Sequence, residues 1–273
     1  MVRPFSSLHL APNSGTKMSM NFDLIQVHLD SRVAEIVLCR PPLNVINIPM
    51  MLELNRAWDA IEASPVDLVV ITSKGERGFS AGVDVADHSP EKAPEMLRCF
   101  HQVLRRIYHS DCISVASIWG YTLGGAAELA MICDFVVAAD DLQFGYPEID
   151  VGCYPPVAAM LLPRIVGMHR SKQFVLLGEM VSAAECSSMG LVDFVVPKRG
   201  LRSAVENLTA RLLKKSAATL RIAKRALHEG SADFDSSLKK IEDLYLDQLV
   251  VSPDMKEGVD AFIEKRSPEW KND

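Results

Sequence analysis

The chain has 273 residues, of which 48% are hydrophobic and 23% are charged, and its formal net charge is -6 at pH 7. This composition is typical of a globular protein with one large domain, with or without an appendage. The charges are spread along the sequence without a basic stripe, which argues against a nucleic-acid partner. No apolar run reaches the roughly 20 residues that a membrane-spanning helix needs.

The first 20 residues are rich in Ser, Pro, Asn and Met and lack the long apolar core of a secretory signal. We predict that residues 1–20 form a flexible leader, with Met18 or Met20 as a candidate natural start. The six cysteines show no pair at metal-ligand spacing. They predict reduced core thiols in a cytoplasmic protein, with no metal site.

Up to about residue 165, predicted strands alternate with predicted helices. The apolar, β-branched segments that predict strands are 24–29, 33–39, 66–72, 113–118 and 135–138. The segments with helical spacing of apolar residues are 50–61, 96–108 and 128–133. This alternation predicts an α/β core over residues 21–197.

The pattern changes after residue 166 and becomes mainly helical. The predicted helices cover 168–177, 182–189, 200–227, 234–250 and 254–264, with one strand over 191–196. We predict a C-terminal helical module over residues 198–273. Its apolar faces must be buried, either against a partner subunit or on the chain's own core, and the pattern favours neither.

Two glycine-containing loops are candidate sites for binding an oxyanion. Residues 79–82 end a strand region, and Gly124-Gly125 opens a predicted helix. Each loop can present one unpaired backbone N–H, and two such donors that converge on a carbonyl oxygen would stabilise an enolate. The alternative for each loop is an ordinary tight turn that needs glycine for steric reasons.

Two acids lie in unusually apolar surroundings. Glu128 stands among small apolar residues on the predicted helix, and Glu148 follows Pro147 and precedes Ile149. Burying a carboxylate is costly, so each acid predicts a function or a partner. Each could instead stabilise a helix or turn, but two such acids beside two such loops favour an acid/base pair.

Five ordered motifs resemble the crotonase (enoyl-CoA hydratase/isomerase) superfamily. They are PLNV at 42–45, FSAGVD at 79–84, GYTLGGAAE at 120–128, FGYPE at 144–148 and EGVDAFIEKR at 257–266. The resemblance covers nearly all of the chain after residue 22. It implies an α/β fold, a spiral of ββα units, followed by a C-terminal helical trimerisation module over 198–273.

The resemblance also implies roles for individual residues. Glu128 and Glu148 would hold and deprotonate water and return a proton to the substrate carbon. Ala81 and Gly125 would supply the two oxyanion N–H groups to an acyl-CoA thioester. The other implied binding positions for CoA or the acyl group are Pro42, Leu43, Val45, Gly82, Val83, Asp84, Val85, Gly124, Tyr154, Pro156, Phe262 and Lys265.

In the family, the last two of these positions commonly approach the CoA of a neighbouring subunit. The resemblance therefore implies a homotrimer or a dimer of trimers. It implies no cofactor apart from the CoA that is part of the substrate.

The chain departs from ordinary hydratases of the family after Glu148. Pro156 stands where a glycine amide commonly helps to hold water, and proline has no N–H. Tyr146 also replaces a residue that is usually Gln. We therefore expect water to be placed differently, in a stiffer and bulkier pocket.

Segments 40–45, 79–88 and 154–159 resemble the branch of the family that hydrates cyclohexa-1,5-diene-1-carbonyl-CoA in anaerobic aromatic degradation. That reaction gives 6-hydroxycyclohex-1-ene-1-carbonyl-CoA. The alternatives are a general enoyl-CoA hydratase or isomerase of fatty-acid type and a non-catalytic acyl-CoA-binding protein. His88 is expected at the surface or at a helix entry.

Overall fold

The computed structural model describes residues 18–229 and 233–271. In chain order its strands are β1 Met18–Asn21, β2 Ile25–Asp30, β3 Val33–Leu38, β4 Leu68–Ser73, β5 Gly78–Ser80, β6 Ile113–Ile118, β7 Tyr121–Leu123, β8 Phe135–Ala139, β9 Gln143–Gly145, β10 Met180–Ser182 and β11 Phe194–Val196. Its helices are α1 Ile48–Glu62, α2 Ala93–His109, α3 Gly125–Met131, α4 Pro156–Ile165, α5 Gly167–Leu177, α6 Ala183–Ser188, α7 Leu201–Leu213, α8 Ala217–Glu229, α9 Phe234–Leu244 and α10 Pro253–Glu264. The predicted α/β class is confirmed.

The main sheet has seven strands in the order β1-β2-β3-β4-β6-β8-β11. The first three strands are antiparallel, and the strands from β3 to β11 run parallel. Strand β1 covers residues 18–20 of the predicted leader, so that part of the leader prediction is wrong. Residues 1–17 of the leader lie outside the described residues.

A second sheet, in the order β10-β9-β7-β5, was not predicted as a sheet. Its strands have three residues each, too few for an apolar repeat to stand out in the sequence. Strands β5 and β7 lead into the two glycine-containing loops, and β9 leads into the 3₁₀ turn Pro147–Val151 that carries Glu148. This small sheet therefore brings the predicted loops and the second acid to one place.

One of the helices predicted after residue 166 is divided into two helices. We predicted a single helix over 200–227, but α7 ends at Leu213 and α8 begins at Ala217. The Ser216 hydroxyl accepts the Thr219 N–H at 3.3 Å at the start of α8. A serine that caps a helix in this way favours a new start over a continuous helix.

Apolar side chains fill both faces of the main sheet. The larger cluster lies between the sheet and the helices that include α1 and α2. On the other face, Leu201, Val205 and Leu208 of α7 pack on Val115 and Val137. The first helix of the predicted 198–273 module thus covers the core sheet, while the module boundaries and the trimerisation role stay predictions.

Within residues 18–229 and 233–271, the structure contains no helix that is long and apolar enough to cross a membrane. The cytoplasmic location stays a prediction.

Candidate active site

A cavity of about 430 Å³ lies where the small sheet ends. It is bounded by α2, the beginnings of α3 and α4, the 3₁₀ turn Pro147–Val151 and α10. Apolar side chains such as Val83, Leu97 and Phe100 form much of its wall. The two predicted acids, Glu128 and Glu148, both line it.

Glu128 lies in the first turn of α3 and is 2% exposed. Its Oε1 accepts the Ala158 N–H at 2.8 Å, at the N-terminus of α4. Burial raises the pKa of Glu128 to about 7, against the lowering effect of the backbone N–H groups of Ala158 and Val157. The carboxyl group therefore belongs to the first turn of α3 and is hydrogen-bonded to the first turn of α4, and its pKa lies near neutrality.

Glu148 is half-buried as a residue, but its Oε2 is buried without a hydrogen-bond partner. A Cβ placed on Gly124 would lie 2.6 Å from its Oε1. Gly124 also has φ 55°, so both the backbone and the acid require glycine there. Burial, and then the charge of Glu128, raises the pKa of Glu148 to about 8.

The two acids are electrostatically coupled because ionised Glu128 opposes ionisation of Glu148. Near neutral pH the pair can hold one proton between them. Hydrogen bonds from α4 favour the ionised form of Glu128, and the unpartnered oxygen favours the protonated form of Glu148. A base beside an acid, both with pKa values raised toward neutrality, is an arrangement that can take a proton from one atom and return it to another.

The structure contradicts the prediction that Ala81 is an oxyanion donor. The Ala81 N–H donates to Leu43 O at 2.9 Å, and the Gly82 N–H donates to the Ser80 hydroxyl at 3.1 Å. Backbone pairing between this loop and residues 43–46 is not visible in the sequence. The amide that follows these two, that of Val83, is therefore the candidate oxyanion donor of this loop.

Among the described residues, neither the Val83 N–H nor the Gly125 N–H has a hydrogen-bond acceptor. The two residues are in contact, since a Cβ on Gly125 would lie 2.6 Å from Val83 Cγ2. Gly125 is the first residue of α3, where an N–H has no partner within the helix. Two free amides beside two acids can bind one oxyanion.

Most of the other predicted binding positions line one of two neighbouring cavities. Those that line the cavity with the acids are Gly82, Val83, Val85, Gly124, Tyr154, Pro156 and Phe262. A second cavity of about 410 Å³ is lined by Pro42, Leu43, Val45 and Asp84. The two share Ala81, Val83, Val85 and Phe262, so they form a continuous path.

Lys265 lines neither of these cavities. It ends α10 in a left-handed conformation with φ 55° and is exposed. Asp84 is engaged locally, because its carboxylate accepts the Ala86 N–H at 3.2 Å and lies 3.4 Å from Arg40. Contacts of Phe262 or Lys265 with a neighbouring subunit stay predictions.

Three further residues of the cavity were not predicted from the sequence. His88 was expected at the surface or at a helix entry; it is buried and lines the cavity. His101 on α2 and Tyr245 after α9 are also buried and line it. A histidine on the apolar face of a predicted helix was the available signal for His101, while Tyr245 gave none.

The six cysteines, all among the described residues, are free thiols, and all but Cys39 are buried. In residues 18–229 and 233–271, no group of three or more His, Cys, Asp or Glu side chains could hold a metal ion.

Comparison with known proteins gives a consistent result. The profile of the family described as Enoyl-CoA hydratase/isomerase matches residues 28–273. The chain is 33% identical to the crotonyl-CoA hydratase of Syntrophomonas wolfei over 254 residues, which is 90% of this chain and 97% of that protein. It is 31% identical to the cyclohexa-1,5-dienecarbonyl-CoA hydratase of Thauera aromatica over 245 residues, 89% of this chain and 94% of that protein.

Among solved structures, an enoyl-CoA hydratase from Mycobacterium avium subsp. paratuberculosis superposes with a TM-score of 0.83 at 28% identity. The match covers 92% of this chain and all of the other.

Proposed function

The chain belongs to the enoyl-CoA hydratase/isomerase family, and we propose that it is a hydro-lyase that adds water to an α,β-unsaturated acyl-CoA. The predicted family and its crotonase-like fold are thereby confirmed. The observation that carries the proposal is the coupled pair Glu128 and Glu148, which lines the same cavity as Val83 and Gly125 with their free amides.

In the proposed reaction the thioester carbonyl oxygen accepts hydrogen bonds from the Val83 and Gly125 N–H groups. Ionised Glu128 takes a proton from water, and the oxygen of that water forms a bond to the β-carbon. The electrons of the double bond move toward the carbonyl oxygen, and the two amides stabilise the resulting enolate. Protonated Glu148 then returns a proton to carbon, which balances the addition.

For the acyl group we propose a conjugated cyclic dienoyl thioester, cyclohexa-1,5-diene-1-carbonyl-CoA. Hydroxide would add to the β-carbon, and the dienolate would take its proton at the far end of the diene, giving 6-hydroxycyclohex-1-ene-1-carbonyl-CoA. The similarity to the Thauera aromatica protein supports this choice.

The region after Glu148 adds support from the pocket. Helix α4 begins at Pro156, which offers no N–H, and the next two amides of the helix, those of Val157 and Ala158, face Glu128. Tyr154 and Pro156 both line the cavity and stiffen its floor. This pocket floor differs from that of ordinary hydratases of the family. The difference fits a reaction in which the proton is delivered to the far end of the diene instead of the carbon next to the thioester.

A general enoyl-CoA hydratase is the second candidate, favoured by the similarity to the crotonyl-CoA hydratase of Syntrophomonas wolfei. The test is a pair of absorbance assays, one with cyclohexa-1,5-diene-1-carbonyl-CoA and one with crotonyl-CoA. We expect loss of the dienoyl absorbance with a higher kcat/KM for the cyclic thioester. Rapid turnover of crotonyl-CoA alone would favour the second candidate, and no turnover of either would contradict hydratase activity on these acyl groups.

A further inference from the structure

The peptide group between Gly82 and Val83 is oriented by a hydrogen bond from a neighbouring segment. The Ile46 N–H donates to Gly82 O at 2.8 Å. In a trans peptide the carbonyl and the N–H point in opposite directions, so the Val83 N–H points away from Ile46. Val83 lines the active-site cavity, and its N–H has no acceptor among the described residues. The availability of this N–H therefore depends on where residues 44–46 hold the peptide.

Gly82 alone does not keep this peptide in its orientation. Its φ is 97°, and glycine adopts many backbone conformations at little cost. If the peptide rotated by half a turn, Gly82 O would face the cavity in place of the Val83 N–H. An acceptor there cannot stabilise an enolate oxygen, which needs a donor. Contacts from outside the loop must therefore hold the orientation that presents the N–H.

The side chain of Asn44 provides such contacts. Asn44 is fully buried, and its Nδ2 donates to Lys74 O at 2.7 Å and to Phe79 O at 3.1 Å. Its Oδ1 accepts the Arg40 N–H at 2.8 Å. The residue has φ 49°, which asparagine adopts more readily than most residues. One side chain thus ties the segment before Ile46 to both ends of the turn that leads into the oxyanion loop.

The backbone of Asn44 contacts the same loop. The Ser80 hydroxyl donates to Asn44 O at 2.7 Å and accepts the Gly82 N–H at 3.1 Å. Side-chain and main-chain hydrogen bonds to the loop therefore converge on Asn44, two residues before the N–H that orients the Gly82 carbonyl.

We propose that Asn44 is a positioning residue for the reaction. It holds residues 44–46 against the loop 79–83, so that the peptide between Gly82 and Val83 keeps its N–H toward the thioester oxygen. Asn44 lines neither of the two cavities, so it acts through this peptide and does not touch the substrate. The inference rests on the proposed function for the role of the Val83 N–H and adds the residue that keeps that N–H in place.

Asn44→Asp is the first test because it changes the shape of the side chain least. A carboxyl group can donate at most one hydrogen bond, and none when it is ionised, whereas Nδ2 donates two. Aspartate also tolerates a positive φ. We expect kcat to fall about 100-fold, the size of a lost oxyanion donor. Asn207→Asp, at an exposed position on α7, is the matched control and should keep the wild-type kcat.

Infrared spectroscopy of a bound thioester separates positioning from stability. Hexanoyl-CoA labelled with carbon-13 at the carbonyl has no double bond to hydrate, and its carbonyl band moves to lower wavenumber when the oxygen accepts hydrogen bonds. The wild-type protein should produce this shift. Asn44→Asp should lose roughly half of it, because one of two amides is displaced, with little change in the Kd of hexanoyl-CoA. A folded Asn44→Asp protein with the wild-type band and kcat would overturn the proposal.

A second variant covers the case in which Asn44→Asp does not fold. Asn44→Gly keeps the positive φ but removes the whole side chain, and it should show the same losses. Failure of both variants to fold would assign Asn44 a purely structural role and would also overturn the proposal. A wild-type band without any shift would reject the oxyanion role of the amides and with it the proposed function, whereas a wild-type shift that both variants retain would reject this inference alone.

Discussion

At the scale of single residues, the site combines two acids, Glu128 and Glu148, with two unpaired backbone amides, those of Val83 and Gly125. An isolated Glu in an apolar run is visible in the sequence, and both Glu128 and Glu148 line the cavity. The choice of Ala81 failed because a backbone N–H is identical in every residue except proline, and only the fold decides which one is paired. The Ala81 N–H donates to Leu43 O, whereas the Val83 N–H has no acceptor among the described residues and stays available to a ligand.

The pH dependence of turnover follows from the two raised pKa values. Glu128 must be ionised and Glu148 protonated, and their pKa values lie at about 7 and about 8. We expect kcat/KM to fall as pH drops below about 7, since Glu128 gains a proton, and to fall again above about 8, since Glu148 loses one. A profile that is flat between pH 6 and 9, measured with a substrate that does not titrate, would contradict these roles.

Gly124→Ala tests the placement of the second acid. The added Cβ would lie 2.6 Å from Glu148 Oε1, and φ 55° is unfavourable for alanine. We expect kcat to fall about 100-fold, as displaced catalytic groups commonly do. Gly190→Ala is the matched control because it also has a positive φ, 79°, but nothing lies within 4 Å of its added Cβ. Equal activity of the two variants would contradict the placement.

At the scale of elements, long periodic segments were predictable, while short ones that build the site were not. Helices α1 and α2 and the strands of the main sheet follow apolar patterns of sufficient length. The small sheet has three-residue strands, and its position depends on pairing with distant residues. Helix α10 also contacts the site turn, since a Cβ on Gly258 would lie 2.4 Å from Val151 O, a contact that depends on tertiary packing.

Tyr154→Phe tests how the loop after Glu148 is attached to α9. The Tyr154 hydroxyl donates to Ile241 O at 2.9 Å, and its ring packs edge-on to Tyr245 at 5.1 Å. Loss of this hydrogen bond should cost about 1 kcal/mol, a decrease in Tm of about 2–4 °C by calorimetry. Tyr121→Phe, at an exposed position, is the control and should leave Tm unchanged. An unchanged Tm in the Tyr154 variant would show that this attachment does not contribute.

At the scale of the whole molecule, the C-terminal helices leave apolar side chains uncovered. Ile222 and Leu227 on α8 are 65% and 77% exposed, and Phe262 and Ile263 on α10 are 56% and 55% exposed. Exposed apolar side chains that lie close together indicate a protein–protein interface. From the sequence, the apolar faces of the C-terminal helices could pack either on a partner subunit or on the chain's own core. The apolar face of α7 packs on the chain's own core.

We expect a homotrimer or a dimer of trimers. Three chains of 30.1 kDa give about 90 kDa, and six give twice that mass, which sedimentation analysis separates readily. Ile222→Lys together with Leu227→Lys should shift the protein toward smaller species if α8 lies in the interface. A monomer at micromolar concentration would contradict the assembly.

We propose that Glu128 and Glu148 together add water to an unsaturated acyl-CoA. The most direct measurement is mass spectrometry of the acyl-CoA after incubation with the protein in water labelled with heavy oxygen. The wild-type protein should introduce one labelled hydroxyl, and Glu128→Gln and Glu148→Gln should each slow this by about 100- to 10,000-fold, the usual contribution of an acid or base. Glu62→Gln, at an exposed position on α1, should match the wild type. Undiminished incorporation by either active-site variant would contradict the claim.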